Sequence, residues 1–151
     1  MADLKPPRSA VGERETLLSL LQYQRDSLVR KVAQLPPEAE RRRLVPSDTT
    51  LLWLVEHLAW AEILWVSHRF AGRPLPSSTA CDTLDEALAA YRDAWATVDE
   101  IVVASDLDDL CRRTDEAVNL RWVLAHLLQE TARHAGHADI LRELLDGRTG
   151  R

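Results

Sequence analysis

Apolar side chains fall along this chain in four long stretches with helical spacing. From Val11 to about Leu35, the residues Leu17, Leu20, Leu21, Leu28, Val32 and Leu35 recur at the interval with which one face of an α-helix returns. Pro36 and Pro37 stop that helix, and a polar connection from Glu38 to Ser47 follows. The second stretch runs from about Thr50 to Phe70. Ser47, Asp48 and Thr49 offer N-caps for it, and Gly72 with Pro74 ends it. Its middle, Leu51-Leu52-Trp53-Leu54-Val55, is apolar nearly all round, the pattern of a helix at the centre of a core. After a Gly, Pro and Ser loop from Ala71 to Asp82, Thr83 and Glu86 form a capping box. The third helix continues to about Ala104 through Leu84, Leu88, Tyr91, Trp95, Val98 and Val102. Asp106 to Val118 reads as a polar loop with a short helical turn at Leu107 to Cys111. The fourth helix starts at Asn119, a capping residue, and ends at Asp146-Gly147. The first ten residues, with Pro6 and Pro7, read as a lead-in arm. Four long helices on connections of about 10 to 15 residues predict an all-α four-helix bundle filling residues 1–151 as one domain.

Composition narrows the function classes. The chain has 151 residues, enough for one domain with a real core, and 28% of them are charged. No segment offers about 18 uninterrupted apolar residues, so none reads as a membrane span. Basic residues number 19 against 24 acidic, a net of −5, which argues against the concentrated basic surface that nucleic-acid binders use. The run Arg41-Arg42-Arg43 directly follows Glu38 and Glu40 and reads as a solvated turn. Cys81 and Cys111 have no CxxC spacing and read as reduced thiols, and the first residues contain no apolar core of signal-peptide length. A cytoplasmic protein is the expectation. The apolar second helix and the five Trp add the expectation of a homodimer.

The candidate chemistry is in the histidines. Five are present: His57 and His68 on the second helix, and His126, His134 and His137 on the fourth. On a helical wheel at about 100° per residue, with Glu130 at zero, His134 falls near +40°, His137 near −20° and His126 near −40°. One narrow stripe thus carries four potential ligands. Glu130 and His134 stand at i,i+4, about 6 Å apart along the axis, so their heads can converge on one ion. His126 and His137 sit a turn to either side, each a candidate hydrogen-bond partner of a ligand or a fourth ligand.

A third ligand has to come from another element, and His57 is the candidate. Trp53, Trp60 and Leu64 flank it on its own face, and an imidazole in so apolar a setting needs its nitrogens paired. Trp53 and Trp60 are expected to wall a pocket beside it. His68 projects to the same side but lies about 16 Å further along the axis, so one ion cannot use both. Two imidazoles and a carboxylate would leave open positions on an ion, the pattern of catalytic rather than structural sites. The donor set suits zinc and nickel, and also iron or manganese. Two other classes compete with an enzyme: a non-enzymatic metal-binding protein, and a helical interaction module whose His stripe is structural.

At these residues a family resemblance emerges. The segment Glu130-Thr-Ala-Arg-His134-Ala-Gly136-His137-Ala-Asp139-Ile-Leu-Arg142-Glu143 resembles the fourth-helix signature of the DinB-like superfamily. It is most similar to the actinobacterial-type branch of unknown function related to mycothiol-dependent maleylpyruvate isomerase. Leu51 to Glu62, with His57 inside Val-Glu-His-Leu-Ala-Trp-Ala-Glu, resembles the second-helix motif, and Glu13-Arg-Glu-Thr-Leu-Leu fits the opening. The resemblance implies a bundle of up-down-down-up order with one divalent ion on His57, Glu130 and His134. Glu at position 130, where many members have His, resembles the thiol-using members. It therefore implies a metal-dependent transferase or isomerase-like enzyme that activates a low-molecular-weight thiol of the mycothiol type toward an electrophilic small molecule. The isomerase itself carries an additional C-terminal domain, so the implication stops at the shared metal bundle.

Overall fold

Each apolar stripe is wound into a helix in the computed structural model, which describes residues 4–8 and 11–149. The elements are α1 (Glu13–Val32), a single-turn α2 (Pro37–Glu40), α3 (Leu51–Glu62) continued without a break by a π-helical stretch (Ile63–Phe70), α4 (Leu84–Val103) and α5 (Leu120–Asp146). Of the expected lead-in arm, residues 1–3 and 9–10 lie outside the described residues. The described part is tied down by the Tyr23 hydroxyl, which donates to the Leu4 carbonyl at 2.6 Å.

The helix ends follow local chemistry, with four differences from the periodicity. The first helix stops at Val32 rather than Leu35, because Ala33 is extended and Gln34 is left-handed at φ 59. Arg142 occupies the carbonyls left there, donating to Lys31 O at 2.8 Å and Ala33 O at 3.1 Å. Pro37 does more than stop a helix, since it opens α2 at a position where its missing N–H costs nothing. The cap of α3 is Thr50, one residue beyond the three candidates, and its hydroxyl accepts from Trp53 N at 3.1 Å. The expected helical turn at Leu107–Cys111 is instead a turn closed by Asp109 N to Asp106 O (3.1 Å) and an isolated antiparallel bridge between Leu110 and Asn119. The Asp106 and Asp109 carboxylates accept from nearby backbone N–H groups, which competes with helix formation.

The capping box of α4 is present: Glu86 N donates to the Thr83 hydroxyl at 3.3 Å and Thr83 N to the Glu86 carboxylate at 3.3 Å. Thr83→Ala is expected to cost about 1 kcal/mol. The measurement is urea unfolding, where the midpoint should fall at unchanged slope. An unchanged midpoint would mean the cap contributes nothing.

Long-range contacts set the topology. Arg121 at the start of α5 pairs with Glu13 at the start of α1 (2.6 Å), while Arg142 near the end of α5 meets the end of α1, so these helices run parallel. Arg14 at the start of α1 donates to Val102 O and Ser105 O at the end of α4, at 2.7 and 2.6 Å. Trp65, late in the second long helix, meets Trp122, early in α5. The order is therefore up-down-down-up, with α1 packed mainly on α5, α3 on α4, and α3 also on α5.

Two apolar layers fill the bundle. One contains Leu28, Val32, Leu52, Val55, Leu88 and Leu141, the other Leu21, Val66, Val98, Val102, Leu124 and Leu127. Burying each such side chain stabilises the fold by roughly 1.5–3 kcal/mol. Between the layers Arg25 and Glu62, each 1% exposed, form a two-pronged ion pair with N···O distances of 2.8 and 2.6 Å. The second helix buries Leu51, Leu52, Leu54, Val55, Leu58, Ala59 and Ala61 within this one chain. Most of its apolar girth is thus absorbed by its own core, while Trp53 stays 42% exposed.

Candidate metal centre

His57 comes from the middle of α3 and Glu130 and His134 from successive turns of α5, where the two helices pack. One ligand atom from each of the three lies within 4.8 Å of the others, and among the described residues no other three His, Cys, Asp or Glu side chains come as close together. His134 Nε2 is 3.1 Å from Glu130 Oε2, the meeting that the i,i+4 spacing allows. The His57 and His134 rings meet edge-on with centroids 4.6 Å apart. Donors held 2.0–2.2 Å from one tetrahedral ion stand about 3.3–3.6 Å from each other. The Glu130–His134 pair is already near that separation, and a ligand atom of His57 stands within 4.8 Å of both. The residues present fit a divalent ion.

Neighbouring side chains hold this geometry. Trp53 stacks on the His57 ring, 4.8 Å between centroids and 11° between planes, and touches His134 edge-on at 6.2 Å. His134 Nδ1 and His137 Nδ1 are 3.3 Å apart, within hydrogen-bond reach. Burial first, and then the neighbouring His57, hold the His134 imidazole below its ordinary pKa, with Glu130 opposing them. Both influences favour the neutral ring, the form with a lone pair to give.

The remaining histidines are placed elsewhere. His126 shares the α5 stripe, and its ring stacks on Trp122 (5.0 Å, 8°) and meets Trp65 at 4.6 Å; it is not among the three residues whose ligand atoms converge. Burial lowers its pKa as well. His68 Nδ1 lies 2.7 Å from the Arg73 carbonyl and closes the turn at Gly72. The π winding of Ile63–Phe70 turns each residue by less than α-helical geometry does, so His68 leaves the side that a regular wheel assigns to it.

Trp53, Glu56, His57 and Trp60 line a pocket of about 400 Å³ whose far wall is the loop Pro76–Ala80. Glu56 fastens that wall, accepting from Cys81 N at 2.7 Å. Glu56 was not legible as a site residue, because its partner is a backbone group 25 residues away. The buried Arg25–Glu62 pair was equally hidden, since its members stand 37 residues apart. Both cysteine thiols are pushed up: Cys81 by burial and then Glu56, Cys111 by burial against the pull of Arg69.

Residues 16–147 match the model of a family described as mycothiol-S-transferase. No curated protein matches the chain. Among solved structures, a conserved protein from Enterococcus faecalis is similar with a TM-score of 0.68 at 16% identity, covering 92% of this chain and 100% of that one. At that identity the likeness speaks for the fold. The family match agrees with the resemblance read from the fourth-helix segment.

Proposed function

The chain belongs to the mycothiol-S-transferase family, and from that premise we propose that His57, Glu130 and His134 hold one divalent ion at which a low-molecular-weight thiol is activated for transfer to an electrophilic small molecule. The observation that carries this reading is the convergence of three ligand atoms from two helices within 4.8 Å, beside an open pocket. Zinc or nickel suits two imidazoles and a carboxylate. Such an ion supplies a positive charge that favours the thiolate over the thiol.

The chain's own residues do the rest. His134 would present Nε2 to the ion, and the contact of its Nδ1 with His137 Nδ1 at 3.3 Å orients the ring. Trp53 fixes the plane of His57 by stacking on it. Trp53 and Trp60 give the open pocket two aromatic walls beside His57, against which the organic part of a thiol can pack. Glu56 holds the loop wall against α3. Neither Cys81 nor Cys111 has the lowered pKa of a reactive thiolate, so the reactive sulfur is one the small molecule brings.

The test is isothermal titration of the zinc-loaded protein with mycothiol and simpler thiols, in buffers of different ionisation enthalpy. Binding that requires the metal and releases about one proton per thiol is expected. If the loaded protein binds metal but no thiol, the transferase reading falls and a metal-binding role without thiol chemistry replaces it.

A further inference from the structure

A second concentration of chemistry lies at the far end of the second long helix. Arg69 lays its guanidinium over the face of Trp65, 4.1 Å from the ring centroid. The loop before α5 returns to the same place, where the backbone N–H groups of Arg112 and Arg113 both donate to the Arg69 carbonyl at 2.9 Å. Both arginine stems run over Gly72, whose left-handed backbone (φ 74) and missing side chain leave them room. The three guanidinium-bearing side chains line one hollow of about 630 Å³ together with Trp65 and Thr114. Asp115 and Glu116 line it too, yet among the described residues neither forms an ion pair with Arg69, Arg112 or Arg113. Three arginines thus border one hollow against two acidic residues, in a chain whose net charge is −5, and Arg112 also borders the neighbouring hollow.

We propose that this hollow is a binding site for an oxyanion group, a carboxylate or phosphate carried by a small organic acid. A guanidinium presents a planar fork of donors that matches two oxygens of such a group, and the bonds are charge-assisted. The Trp65 face under Arg69 holds the plane of that fork while leaving its edge to the ligand. Thr114 accepts from Glu116 N at 3.1 Å through its hydroxyl oxygen, which leaves the O–H to donate. The hollow shares the α3–α5 seam with the three metal-ligand candidates: Trp65 stands eight residues beyond His57, about 12 Å by helical rise, and its ring also meets His126 and Trp122. The site nonetheless uses none of the residues of the proposed metal centre.

The experiment titrates chelator-treated protein, at fixed ionic strength, with inorganic phosphate and separately with succinate, following heat and tryptophan fluorescence. Because no metal is present, this measurement can succeed or fail independently of the metal and thiol reading. Saturable binding of at least one probe is expected, weakened about tenfold for each guanidinium removed in R112A and R113A and about a hundredfold in the double variant. Both side chains are exposed, so thermal melts of these variants should overlay the parent. R69K, which keeps the charge but loses the fork and much of the stacking on Trp65, should also weaken binding and reduce the fluorescence change. Binding of phosphate alone assigns the site to phosphorylated ligands, and of succinate alone to carboxylic acids. No saturable binding of either probe, or equal binding by the parent and R112A/R113A, overturns the proposal.

Discussion

His57→Ala is expected to lower the affinity for zinc more than 100-fold, measured by competition with a chromogenic chelator and by elemental analysis of the protein after dialysis. The magnitude follows from the number of donors. Loss of a group that merely orients a ligand typically costs 10- to 100-fold in affinity, and loss of one ligand in three exceeds it. Glu130→Gln and His134→Ala should behave alike, while His137→Ala, which removes the partner of His134 Nδ1, should fall within the 10- to 100-fold range. His68→Ala and His126→Ala should leave affinity unchanged, since His68 closes a turn on Arg73 and His126 is stacked on Trp122. Retention of stoichiometric zinc by His57→Ala would remove α3 from the metal centre and leave Glu130 and His134 as an ordinary hydrogen-bonded pair on one helix.

Arg25→Met is expected to destabilise the fold by about 3–5 kcal/mol, the cost of leaving a buried charge without its partner. Glu62 would then be left in a layer where, among the described residues, Asp99 is the charged neighbour that acts on it, and it opposes ionisation. The pair is weak evidence for stability as such, so replacing both members with apolar residues, R25M/E62L, should recover most of the loss. Urea unfolding of the three proteins measures this. A single variant within about 1 kcal/mol of wild type would mean that the layer is hydrated enough to tolerate the lone carboxylate. The pH dependence has a definite sign. Burial pushes the Glu62 carboxyl up, and Arg25 pulls it back down. With Arg25 gone, the folded-state value rises further above the unfolded value of about 4.3. A raised folded value means that the contribution to stability is fully present below the unfolded pKa and is lost as pH rises through the folded one. The defect of Arg25→Met should therefore be small near pH 5 and largest near pH 8.

The four long helices, their polar connections and the i,i+4 meeting of Glu130 with His134 could be read from the chain because they are local. Helical periodicity, caps such as Thr83 and Asn119, and stops such as Gly147 act within a turn or two, so neighbouring residues decide them. At the end of α1 a distant group intervened, Arg142 satisfying its carbonyls from 109 to 111 residues away, whereas the cap at Thr50 and the Asp106–Asp109 turn were decided among competing local groups. The stripe on α5 also made His126 look equivalent to His137, since a wheel gives the direction of the Cβ and not the rotamer. Only packing decided between them: Trp65 and Trp122 offered His126 an aromatic surface, while His134 offered His137 a ring nitrogen. The Arg25–Glu62 layer, the Glu56 clasp on the Cys81 N–H and the three arginines around one hollow join segments tens of residues apart. No periodicity encodes such meetings. They follow from which face of each helix the bundle turns inward, and that choice minimises exposed apolar area over the whole chain at once.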